Sequence, residues 1–180
     1  KGNQIDDPFF PNQWHLQNRG QNGGKPGADV KAVEAWNTTL GEGAIVAILD
    51  DAVDWKHPDL VDNVVARYNF VNDNDDPSPF RDDLFICMEG CTNQDPLQRL
   101  WCNACDMFPY DESCQRPHGT CTAGLAVARA NNIGVRGVAP MAGLVAEAML
   151  NSTIVGTADS FYFAEANGAQ VVSNSWGITD

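Results

Sequence analysis

Apolar residues in this chain gather into short blocks separated by polar, glycine-rich connections. "AIVAIL" (44–49) is an unbroken and largely β-branched run, the pattern of a strand covered on both faces. "VVARYNFV" (64–71), "GLVAEAML" (143–150) and "AQVVSNS" (169–175) read as three further strands. Helical spacing appears elsewhere. "ADVKAVEAWNTTLG" (28–41) sets Val30, Val33 and Trp36 at helical intervals and predicts a short helix ending near Gly41. "HGTCTAGLAVARA" (118–130) predicts a small-residue helix opening at His118, and "TADSFYFAEANG" (157–168) a helix stopped by glycine. Strands alternating with helices predict an α/β fold with a doubly wound, three-layer parallel sheet.

Two stretches break this rhythm. Residues 1–28 are rich in Gly, Asn, Pro and Gln and read as an extended arm. From 73 to 117 the texture becomes acidic, proline-containing and cysteine-rich, with no sustained period, as expected of a long insertion. All six cysteines (Cys87, Cys91, Cys102, Cys105, Cys114 and Cys121) fall between 87 and 121. Cys102 and Cys105 form a CxxC that suits zinc, but Cys87 and Cys91 are spaced one residue wider, so a disulfide framework is favoured over a zinc site. Asn37-Thr-Thr and Asn151-Ser-Thr match the glycosylation acceptor pattern. Together these point to an oxidising compartment, the secretory pathway or the extracellular space.

Composition trims the list of functions. The 180 residues carry a net charge of −13, which opposes nucleic-acid binding and suits cationic partners or calcium. No apolar run approaches the roughly 20 residues of a membrane helix. Nor does the sequence open on a basic-then-apolar leader, so the expectation is that it begins after processing or inside a longer protein.

The candidate chemistry lies where strands end. In doubly wound sheets ligands bind beyond the carboxyl ends of the strands. Asp50 and Asp51 follow the first apolar run, Ser175, Trp176 and Gly177 follow the last, and His118 opens a helix. A buried carboxylate beside an imidazole fixes its tautomer and stabilises its cation, and the imidazole can then take a proton from a serine hydroxyl. Asp50 and His118 suit those two roles.

At these residues the sequence resembles the subtilisin-like serine proteases, and within them the kexin and furin branch of proprotein convertases. "VAILDDAVDWKHPDL" is similar to the segment around that family's catalytic aspartate, and "HGTCTAG" to the helix start carrying its histidine. "NNIGVRGVAP" is similar to its calcium loop, "SNSWG" to its substrate strand, and "DPFFPNQWHL" to the convertases' amino-terminal arm. The resemblance covers most of 6–72 and 118–180, so the chain is expected to form the amino-terminal part of a peptidase domain, its sheet incomplete. It implies an Asp-His-Ser triad whose serine lies outside these residues, leaving the piece alone inactive. It further implies a polypeptide substrate with basic residues at the cleavage site, met by Asp51 and Asp180, with Ser175 to Gly177 pairing as an added strand. A propeptide or the remainder of the catalytic domain is an expected partner. A structural calcium is implied on Asp7, Asp59 and Asn132, with carbonyls near Ile133 and Val135. Ala52 stands where the family usually has glycine, which predicts an altered turn after Asp50. The rival readings are a broad-specificity subtilisin and an inactive homologue used for binding.

Overall fold

The computed structural model describes residues 5–79 and 118–177. Four parallel strands form one sheet: β1 (Ile45–Asp50), β2 (Val64–Asn69), β3 (Gly143–Ala148) and β4 (Val171–Ser173), in the order β2-β3-β1-β4. β1 is central, paired along its length with β3 and over three residues with β4. Every predicted strand is present, although β4 is shorter than its sequence suggested.

Side chains of a strand alternate between faces, and β1 sorts accordingly. Val46 and Ile48 point to one face, where Leu144 and Ala146 of β3 join them beneath helix α2 (His118–Val127) through Ala123 and Val127. Ile45, Ala47 and Leu49 point to the other, with Val145, Met149 and Ala164 of helix α3 (Ile154–Ala166). Helices on both faces make the three layers expected. Tyr68, Phe70 and Phe163 stack between β2 and α3 at centroid distances of 4.8–5.8 Å. α3 begins three residues before the expected start, because Thr153 caps it by accepting a hydrogen bond from Gly156 N–H.

Two expectations change. The helix predicted to end near Gly41 is a single turn, α1 (Ala32–Ala35). Asn37 and Thr39 compete for the backbone: the Asn37 amide donates to the carbonyl of Glu34, the Thr39 hydroxyl accepts from Gly41 N–H, and the Trp36 indole N–H is drawn to the carbonyl of Val138. The amino-terminal segment is more than an extended arm. It contains 3-10 turns at Phe10–Asn12 and Gln21–Gly23, and it buries Phe10 and Leu16 against Ala32 and Trp36 in a small core of its own. Of the acidic insertion, residues 73–79 fold back on the sheet: Asn74 bridges Asn69, and Val53 N–H donates to the carbonyl of Pro77. The rest of it lies outside the described residues.

Candidate active site

Because β1 alternates, the position after Ile48 on the same face is Asp50, which therefore emerges beneath α2 at the strand's carboxyl end. Its carboxylate is buried, and His118, the first residue of α2, meets it there. His118 Nδ1 lies 2.8 Å from Asp50 Oδ1 and 3.0 Å from Oδ2. An ionised carboxylate only accepts, so Nδ1 carries the proton in this pair and Nε2 is left as the basic nitrogen. The His118 side chain is 49% exposed against 1% for Asp50, so the ring spans from the interior to the surface. Asp50 also accepts from Asp51 N–H at 2.8 Å and from the Thr122 hydroxyl at 3.3 Å. Among the described residues no serine hydroxyl bonds to His118.

The helix that carries His118 is fixed to β1 by short-range chemistry. Asp51 Oδ2 accepts from His118 N–H at 3.1 Å, and Oδ1 from Gly119 N–H at 2.8 Å and Ala52 N–H at 2.6 Å. An acid here satisfies orphan donors at the start of α2 and complements its positive end. Burial pushes the Asp51 carboxyl above its ordinary range, against the pull of these three N–H groups, and the neighbouring Asp50 charge adds to the rise. Gly119 is required by space: a Cβ there would stand 2.5 Å from the Ala52 carbonyl oxygen and 2.7 Å from Asp50 Cβ. Thr120 adds a tie, its hydroxyl accepting from Asp54 N–H at 2.8 Å. Ala52 sits in this turn without a positive φ, so alanine is accommodated where the family favours glycine.

The sequence marked Asp50, Asp51 and His118 as site residues, and the structure brings them together. It missed the tying roles of Gly119, Thr120 and Thr122, whose only signal was their place within the histidine motif. Ser175, Trp176 and Gly177 follow β4 at the same end of the sheet, and the Trp176 indole N–H donates to the Leu49 carbonyl at 2.8 Å. That bond pins the segment beside the residue preceding Asp50. Ser175 and Gly177 are exposed there. Asp180 lies outside the described residues.

The residues expected around calcium form a second cluster. Asp7 Oδ1 accepts from Asn131 and Asn132 N–H at 3.2 and 3.1 Å, while Asp7 Oδ2 is paired with the Arg136 guanidinium. Asp59 Oδ2 accepts from Val135 N–H at 2.9 Å, and its Oδ1 is buried without a partner. Burial raises the Asp59 carboxyl, and the Asp7 charge contributes to the rise. Ile133 is an exposed loop residue. Calcium takes six to eight oxygens. Three of the four carboxylate oxygens here already accept N–H groups, leaving Asp59 Oδ1, the Asn132 amide oxygen and loop carbonyls, and the Arg136 guanidinium already neutralises Asp7. As arranged, the donors do not fit the ion.

Cys121, on α2, is disulfide-bonded, so for this cysteine the disulfide reading holds over zinc. Cys87, Cys91, Cys102, Cys105 and Cys114 lie outside the described residues.

The arrangement is a parallel α/β/α sheet with an Asp–His pair at its carboxyl edge, the aspartate preceding the histidine in the chain, and such a pair can hold an imidazole ready to take a proton. The chain belongs to the subtilase family, whose description matches residues 41–180. It is 34% identical over its whole length to neuroendocrine convertase 2 of Drosophila melanogaster and 30% identical over 99% of its length to the Homo sapiens protein of that name. In each case it spans 25% of the relative. Among solved structures it is similar to the serine protease of Aeromonas sobria, with a TM-score of 0.70 and 28% identity, covering 98% of this chain and 26% of that one.

Proposed function

We propose that these residues are the acid–base part of a serine endopeptidase domain that cleaves polypeptides at basic sites. The observation that carries the reading is the Asp50–His118 pair, 2.8 Å apart at the carboxyl edge of a subtilase sheet. In the proposed reaction His118 Nε2 takes the proton of a serine hydroxyl as that oxygen attacks the peptide carbonyl. The imidazolium formed is stabilised through Nδ1–H by Asp50, and it then returns the proton to the leaving amine. The serine is supplied by sequence outside these 180 residues. Ser175 and Gly177, exposed on either side of Trp176, whose indole is bonded to the residue before Asp50, would pair with the substrate backbone in an added strand running from Ser175 to Gly177.

Basic preference rests on carboxylates at this rim. Asp51 offers about four acceptor positions and spends three on N–H groups, which leaves one for a guanidinium or ammonium group. Asp180 is assigned to the pocket for the residue before the cleaved bond by resemblance. The disulfide at Cys121 and the exposed acceptor asparagines Asn37 and Asn151 support a secretory or extracellular setting, with a propeptide or the rest of the catalytic domain as partner.

The test is peptide hydrolysis by residues 1–180 alone and by a chain extended through the serine motif. The first is expected to be inactive and the second active, with His118→Ala in the extended chain losing on the order of 10³-fold or more. Turnover by the short chain, or an extended chain indifferent to His118→Ala, contradicts the proposal.

A further inference from the structure

Arg136 is a buried cation in the loop that follows α2, its side chain 3% exposed, with Nε 2.5 Å from Asp7 Oδ2. A guanidinium taken out of water persists only where a carboxylate and further donors and acceptors compensate it. Asp7 supplies the counter-charge, and the backbone of Arg136 is tied to the arm as well. The Gln13 amide donates to the Arg136 carbonyl at 2.8 Å, and its oxygen accepts from Arg136 N–H at 2.9 Å. The guanidinium carbon stands 5.2 Å from the Trp36 ring centroid. Phe9 N–H donates to the Gly134 carbonyl, and Asp7 Oδ1 holds Asn131 and Asn132 N–H. The amino-terminal arm is thus stitched to loop 131–136 around one positive charge that the chain itself provides.

That charge stands at the carboxylate the family resemblance would give to calcium. To use Asp7 Oδ2, a divalent ion would have to displace the guanidinium or sit against it, like charge beside like charge. We propose that Arg136 is a built-in cation that takes the metal's place at Asp7, so that the clasp between arm and loop closes without calcium. The loop so held connects directly to the end of α2. The Asp50–His118 helix is therefore anchored at its far end irrespective of calcium supply.

The experiment is thermal unfolding of the extended chain in excess calcium and in excess EDTA, for the wild type, Asp59→Asn, Arg136→Lys and Arg136→Met. The quantity read is the calcium-dependent part of Tm that Asp59→Asn abolishes, which isolates this clasp from metal bound elsewhere. In the wild type it is expected to be nil. Arg136→Met is expected to lower Tm in EDTA by several degrees and to recover part of the loss in calcium, since Asp7 then loses the guanidinium that neutralises it while its charge still acts on Asp59. Arg136→Lys keeps a cation and is expected to remain indifferent to calcium. If Arg136→Met fails to fold, the wild-type and Arg136→Lys comparisons still decide. A calcium-dependent Tm in the wild type that Asp59→Asn removes would overturn the proposal, as would an Arg136→Met protein matching the wild type in both conditions. None of these readouts depends on peptidase activity.

Discussion

Asp50 and Asp51 are adjacent carboxylates with separate partners. Asp50 is turned into the interior, where His118 and Thr122 satisfy it, and Asp51 is turned onto the backbone at the start of α2. Asp51→Ala is therefore expected to shift or fray the turn that holds His118, costing about 1 kcal/mol or more of stability and lowering kcat on every peptide. Asp51→Asn keeps one acceptor oxygen but no charge. If a substrate cation uses the remaining acceptor position, its loss should be roughly tenfold greater on peptides with Lys or Arg second before the cleaved bond than on matched alanine peptides. Specificity constants for the two peptides separate the duties, and equal losses would leave Asp51 as a cap alone. The Asp50–His118 pairing was legible from sequence because its motifs are local and ordered. The cap was not, because its donors lie 67 and 68 residues away and only folding brings them to Asp51. Arg136 was hidden for the same reason, its partner being 129 residues away.

Strands were the legible elements, since continuous β-branched runs in a sheet covered on both faces leave few alternatives. α1 was misjudged in length because side chains that bond locally end a helix that apolar spacing alone would continue. β3 also carries an acid in its interior. Glu147 is fully buried on the α3 face, and neither carboxylate oxygen has a partner. Its neighbours in register are Leu49 and Tyr68, and the Tyr68 hydroxyl donates to Asp73 instead. Burial pushes the Glu147 carboxyl up from 4.5 to about 8. Below pH 4.5 the group is protonated in folded and unfolded chains alike. Between 4.5 and about 8 only the unfolded chain ionises, so stability falls as pH rises; above 8 both are ionised and this group adds no further loss. The total is on the order of a few kcal/mol. Urea unfolding at pH 5 and pH 8 should show that decline, and Glu147→Gln, which cannot ionise, should remove most of it. A Glu147→Gln protein with an unchanged decline would assign the pH dependence to other groups.

At the scale of the molecule, one sheet organises everything described. β1 presents the acid, α2 lays the histidine over it, and the segment after β4 is drawn alongside by Trp176. The arm and loop 131–136 close the far end of α2, so the helix is held at both ends. The central claim is that Asp50 exists to orient and charge-stabilise His118. It is tested most directly by kcat for peptide hydrolysis by the extended chain with Asp50→Asn, a substitution that preserves shape. Loss of the carboxylate removes the partner of Nδ1–H and favours the wrong tautomer, so kcat is predicted to fall on the order of 10⁴-fold with KM little changed. Turnover within a few-fold of the wild type would contradict the account.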